Sequence, residues 1–212
     1  MRFSKPFVHA VALTLVAGAA FAARVDLKDP RTALGREDNI RVDAQLARDT
    51  ISSSAPISVT YQVENLTDAP IAVADKVSDM TYDVDSRTIT LTLGAEIPAG
   101  SSMPHLVVIA PGEKRVFRSG ALVRVVMPSA QTPWTAVPRF VQIKVNVLRD
   151  VLPFASLIEQ QRRSTTPPAL PNDMFDRWVE STDAVYLNAI PVRWNGSRPQ
   201  ITAENNQARG TY

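Results

Sequence analysis

Apolar and polar residues alternate through the middle of this chain with the two-residue period of a β-strand. Ile57, Val59, Tyr61 and Val63 alternate with Ser58, Thr60, Gln62 and Glu64, and five of these eight are β-branched or aromatic. That spacing puts alternate side chains on opposite faces of a half-buried strand. Ile40, Val42, Ala44 and Leu46 alternate with Arg41, Asp43 and Gln45 in the same way, although the good helix formers of V-D-A-Q-L-A-R-D leave a helix open there. Ile71 to Val73 forms a shorter apolar run. In M-T-Y-D-V-D-S-R-T-I-T-L-T-L-G, Ile89, Leu91 and Leu93 alternate with threonines, and Asp85-Ser86 supplies the short polar tip of a hairpin between Thr81–Val84 and Thr88–Leu93. H-L-V-V-I-A-P-G-E-K-R-V-F repeats the pattern, with Pro111-Gly112 suited to the two centres of a type II turn before Val116 and Phe117. Further strands are expected at Ala121–Met127 and Arg139–Leu148. Seven or more short strands punctuated by turns predict an all-β sandwich over residues 40–150.

After Asp150 the period lengthens. Phe154, Leu157, Ile158 and Gln161 have helical spacing and lead into the proline-rich connector T-T-P-P-A-L-P. A second short helix is expected to start at Asn172 as N-cap, with Asp173 in its first turn and Phe175, Trp178 and Val179 on one side. Ala184 to Trp194 then reads as a strand returning to the sheet, which makes 151–194 an extension of the sandwich. Residues 195–212 have almost no apolar content and are expected to be a disordered tail. Residues 23–39 are charged and broken by Pro30 and Gly35, and predict a loose leader.

The start of the chain bears on compartment. Arg2 and Lys5 precede an apolar stretch from Phe7 to Ala20, and Ala20-Phe21-Ala22 has the small-x-small form of a cleavage site. Residues 1–22 therefore read as a secretory signal peptide. The uncharged stretch from Pro6 to Ala23 lies at the short end of the roughly 17–25 residues needed to span a bilayer. Cleavage implies a periplasmic or secreted product with no stable membrane insertion. Losing Arg2 and Lys5 leaves 21 Lys and Arg against 21 Asp and Glu. With no basic stripe interleaved with aromatics, the balance argues against nucleic acid as a partner. The chain has no cysteine, which excludes disulfides, thiolate metal sites, a Cys nucleophile and lipid anchoring through cysteine.

Two features, Val63-Glu64-Asn65-Leu66-Thr67 with its reach to Pro70-Ile71, and Ile109-Ala110-Pro111-Gly112-Glu113 leading to Phe117, resemble secreted bacterial immunoglobulin-like domains. The similarity is to bacterial cell-adhesion-related domains and to the BsuPI family of proteinase inhibitors, over roughly Ile57 to Phe117. The resemblance implies an immunoglobulin-like β-sandwich used for binding, here carrying short C-terminal helices and a disordered tail.

Candidate chemistry is sparse. Asn65-Leu66-Thr67 and Asn195-Gly196-Ser197 fit the N-glycan acceptor pattern, but an Asn at a strand end also bonds its own backbone in a turn, and the turn role suffices for Asn65. His105 is the histidine left after His9 departs with the signal, and the chain contains no G-x-S-x-G elbow to pair with it. Asp83 and Asp85, two apart on a strand, share a face and could hold calcium or flank a glycosidic bond. They also suit a solvated hairpin end. Trp134, between two prolines in Q-T-P-W-T-A-V-P-R-F, is a candidate partner contact or sugar-stacking ring, or else a plug for the end of the sandwich. Trp178 and Trp194 read as core, and Arg162-Arg163 as a processing site or as charges suited to a helix C-terminus. No catalytic residue, metal ligand or cofactor is assigned. The reading is an exported, non-enzymatic immunoglobulin-like module for protein interaction or structure, with an unknown protein partner. Its rivals are a BsuPI-type proteinase inhibitor, a carbohydrate-binding module using Trp134, and a hydrolase with an unorthodox site.

Overall fold

The computed structural model describes residues 25–52, 54–75, 78–94, 100–122, 137–164 and 166–195. In chain order the strands are β1 (Thr32–Glu37), β2 (Ile40–Leu46), β3 (Thr50–Ile51), β4 (Pro56–Asn65), β5 (Ile71–Ala74), β6 (Ser78–Asp83), β7 (Thr88–Leu93), β8 (Leu106–Ile109), β9 (Lys114–Leu122) and β10 (Phe140–Leu148). Then come a single 3-10 turn at Leu152–Phe154, helices α1 (Ala155–Arg163) and α2 (Asn172–Glu180), and β11 (Thr182–Tyr186), β12 (Ile190–Pro191) and β13 (Arg193–Trp194).

Four strands form the first sheet in the order β1-β2-β4-β9. The alternation seen in the sequence decides its faces: Ile40, Val42, Ala44 and Leu46 of β2 and Ile57, Val59, Tyr61 and Val63 of β4 are all buried. Tyr61 stands opposite Phe117 of β9, their rings stacked with centroids 5.0 Å apart. Such a cross-strand aromatic pair adds to the area it buries. The second sheet runs β6-β7-β10-β5-β8, with β11 and β12 also on β10. Ile89, Leu91, Leu93, Val141, Ile143, Val145 and Val147 of this sheet share one core cluster with the apolar face of the first. The chain is thus mostly β, its two main sheets facing each other across one core. β7 and β10 run parallel, from Phe140 opposite Thr88 to Val145 opposite Leu93.

A second apolar cluster explains why β5 does not alternate. All four residues of β5 are buried, with Ile71 and Val73 turned to the main core and Ala72 and Ala74 to a cluster with Phe154, Ile158, Leu170 and Trp178. The two helices cover that outer face, and Phe154 meets Trp178 edge-on at 5.4 Å. A strand covered on both sides reads as a continuous apolar run.

Three local expectations change, and the turn expected at Pro111-Gly112 is present and gains a place in the fold. Thr32–Glu37, assigned above to a loose leader, is a strand paired along its length with β2. Asn172 is the first helical residue of α2 and does not cap it; Pro171 occupies the cap position without a side-chain bond. The returning strand from Ala184 to Trp194 is three short pieces, because Leu187 and Ile190 both turn inward and Pro191 lacks an N–H for the ladder. Pro111-Gly112 joins strands of different sheets and so forms an arch between the layers, with Gly112 at φ 73° as that turn requires. Ala121 and Leu122 end β9, whereas 123–127, the signal segment 1–22 and the tail from 196 lie outside the described residues.

The leader is held at two places. Arg31 bonds Asp29 through its backbone N–H and Nε, each 2.8 Å from Oδ1, and through its second guanidinium nitrogen to Oδ2, while Gln45 Nε2 donates to Asp29 Oδ2 at 2.9 Å. The Arg31 side chain holds the Asp29 carboxyl well below the usual carboxylate range. A depressed carboxylate contributes stability that is complete above its unfolded pKa, roughly 3.9, and lost as pH falls toward the folded value. As pH falls from ~4 toward the folded value the hold on residues 25–31 is therefore expected to weaken progressively, seen as loss of amide protection at Thr32 relative to the intrinsic exchange rate at each pH, and Asp29→Asn should weaken it at neutral pH. Farther along, β1 passes β11 so closely that a methyl group on Gly35 would sit 2.5 Å from the Tyr186 carbonyl oxygen. Backbone cannot swing aside as a flexible side chain would. Gly35→Ala is expected to cost about 1–3 kcal/mol in urea denaturation, and an unchanged midpoint would place β1 farther from β11.

Candidate functional site

Asn65, the acceptor of the N-L-T triplet, is 0% exposed. Its Nδ2 donates to the carbonyls of Ala69 (2.8 Å) and Ile109 (3.0 Å), and its Oδ1 accepts from Thr67 N–H (3.0 Å) and Thr67 Oγ1 (2.7 Å). The Asn65 N–H donates to the Glu113 carbonyl and its own carbonyl accepts from Gly112, at 3.0 and 2.7 Å. Glu113 folds back so that its carboxylate accepts the Ala110 N–H at 2.8 Å, and Lys114 Nζ lies 3.0 Å from Glu64 Oε1. The two stretches singled out in the sequence thus meet in one polar clamp at the end of the sandwich. It joins β4 of one sheet to β8 of the other. In the folded chain the Asn65 nitrogen is unavailable to a glycosylating enzyme.

The other candidates are scattered. His105, at the foot of β8, lies with Nδ1 3.1 Å from Asp75 Oδ2, and Asp75 Oδ1 is buried without a hydrogen bond. Gln161 of α1 binds the same strand foot, donating to the Pro104 carbonyl at 2.6 Å and accepting from Leu106 N–H at 3.2 Å. Beneath them Tyr61 is pushed well above the usual phenol range by burial, to which the charge of Asp75 adds. Asp83 accepts from Ser86 Oγ at 2.6 Å and from Asp85 N–H at 3.0 Å, bonds that lower its pKa and close the hairpin tip. Among the described residues no three His, Cys, Asp or Glu side chains converge as metal ligands. Trp178 is buried, Trp194 packs at the margin of the main core, and Trp134 lies outside the described residues. Arg162 and Arg163 pair with Glu159 on the last turns of α1, at 3.6 and 2.8 Å. Asn195 is exposed, and the rest of its triplet lies beyond the described residues.

A concave surface lies elsewhere, where β2, β4 and β9 end beside the short β3. Two adjoining cavities, of about 350 and 560 Å³, share Ala47, Pro56 and Ser58 and so form one open trough. Its depth follows from the register. Ser58 stands opposite Gly120, so two outward positions carry almost no bulk, while one step along Thr60 stands opposite Arg118. Across the floor Ala47 N–H donates to the Ser58 carbonyl at 2.9 Å. Among the described residues, Arg118 and, at the other end, Arg48 are the charged residues that line the trough, and no carboxylate lines it. Neither arginine belongs to a motif, so neither stands out in the sequence. The feature that makes the floor, a solvent-facing Ser58 opposite a glycine, is invisible before the register is known.

No known protein family, curated protein or solved structure matches the chain.

Proposed function

We propose that this chain is an exported, non-enzymatic immunoglobulin-like β-sandwich that serves as a protein-interaction module in a bacterial periplasm or extracellular space. The observation that carries the reading is the open trough at the end of the four-stranded sheet, lined by Thr50, Ser52, Ser58 and Thr60 hydroxyls and two arginines. An open trough of mixed lining, with hydroxyls and arginines set among apolar side chains, suits the side chains and main chain of another polypeptide. The immunoglobulin-like part of the reading is supported by the Asn65 clamp and the Pro111-Gly112 arch, which tie the two sheets at the residues that carry the resemblance. The residues with chemical potential are spread over the molecule: His105 sits at the foot of β8, whereas Asp83 and Asp85 lie at the β6–β7 tip.

The test is a photo-reactive amino acid placed at Thr60 in the producing cell, compared with one at Leu152 on the exposed side of the helical layer. Discrete protein adducts at Thr60 and none at Leu152 are expected. Adducts at neither position, together with retention on a glycan column or inhibition of a proteinase by another surface, would overturn the reading.

A further inference from the structure

Resting on that reading, we propose that the trough along β4 and β9 receives an extended, acidic peptide strand, whose carboxylates are bound by Arg48 and Arg118. Charge carries the inference. Among the described residues the trough's lining holds two positive and no negative side chains. Several arginines here are already paired with carboxylates: Arg31 with Asp29, Arg41 with Asp43, Arg115 with Glu113, Arg149 with Asp38 and Asp183, and Arg193 with Asp49. Arg48 and Arg118 have no ion pair or hydrogen bond among the described residues, and both are exposed. A guanidinium held at a wall without a carboxylate keeps its planar fork of donors for one brought from outside.

Shape selects a peptide from the anionic possibilities. The low floor at Ser58 and Gly120 admits a backbone, and the hydroxyls of Ser58 and Thr60, two apart on one face of β4, repeat at the spacing of a strand's own alternate residues. No aromatic ring lines the trough among the described residues, which removes the stacking platform that single-stranded nucleic acid and sugar rings use.

The experiment is fluorescence anisotropy on the full chain with a labelled ten-residue peptide alternating Glu with Ser and Val, against the same peptide with Gln for Glu and a sulfated oligosaccharide. The acidic peptide should bind, lose at least about tenfold in affinity with the Gln peptide, and lose a similar factor in Arg48→Ser/Arg118→Ser. Arg162→Ser/Arg163→Ser on α1 should leave binding unchanged, and affinity should fall with added salt. Both substitutions are exposed, and matching melting curves establish that the variants are folded. Equal binding of the Glu and Gln peptides, or binding indifferent to the two arginines, would overturn the inference. Arginine-dependent binding of the sulfated oligosaccharide with none of the peptide would also overturn it, in favour of an acidic glycan. If Thr60 adducts persist in Arg48→Ser/Arg118→Ser, the interaction module stands and the acidic strand falls; if adducts form at neither position and the chain is retained on a glycan column or inhibits a proteinase, both fall.

Discussion

Asn65→Ala is expected to lower the free energy of unfolding by about 3 kcal/mol, a large share of the roughly 5–15 kcal/mol that holds a domain of this kind together. The alanine methyl leaves the carbonyls of Ala69 and Ile109 and the N–H of Thr67 facing a buried hole. Each buried polar group deprived of its partner costs about 1–3 kcal/mol, and water reaches this site poorly because the side chain it would replace is wholly enclosed. Asn65→Asp should be at least as damaging, since it turns a donor into a carboxylate oxygen aimed at two carbonyls. Leu66, between Asn65 and Thr67, is 41% exposed, and Leu66→Ala should cost less than about 0.5 kcal/mol. Urea denaturation of the three variants decides the matter. An Asn65→Ala chain as stable as Leu66→Ala would mean that the clamp does not join the sheets.

The second large effect concerns the last strands. Compared with a chain ending at Asn195, one ending at Thr182 is expected not to fold at all, and to aggregate. It loses Val185, Leu187, Ile190 and Val192, all in the main core. Each is worth about 1.5–3 kcal/mol, together on the order of 6–12 kcal/mol. It also bares β10, where Lys144–Leu148 pairs with Thr182–Tyr186 and Phe140–Val141 with Ile190–Pro191. A long apolar strand with one edge left open templates association between chains. Circular dichroism and light scattering on the two chains distinguish the outcomes; a cooperative melt from the shorter one would show the sandwich complete by Leu148.

Where burial has a simple period, the sequence was readable. β4 needed nothing beyond alternation, and β2 resolved in favour of a strand because its four alternate apolar residues all meet the core. The leader misled because its strand is justified by neighbours on both sides. Leu34 and Arg36 look like surface, yet the Leu34 carbonyl accepts the Asn188 N–H at 3.1 Å, a partner far along the chain. Likewise no local signal announces that β7 and β10 are parallel or that two helices cover β5, since both are consequences of long-range pairing. The Asn65 clamp was half readable: both of its stretches stood out as turns, and their meeting did not. The trough was unreadable, because its floor is the coincidence of a serine and a glycine in register.

The parallel pairing of β7 with β10 fixes when the protein can fold as it leaves the ribosome. A nascent chain emerges from its N-terminus, and until residues 140–148 are out the second sheet lacks the strand that β5, β7, β11 and β12 all join. β6 and β7 can meet early as a hairpin, but β7 then waits with one side open for a partner about fifty residues downstream. Such non-local closure is slow and leaves strand edges exposed while it is pending. The growing polypeptide therefore carries open strand edges through most of its synthesis, and its second sheet closes only when the final strands arrive.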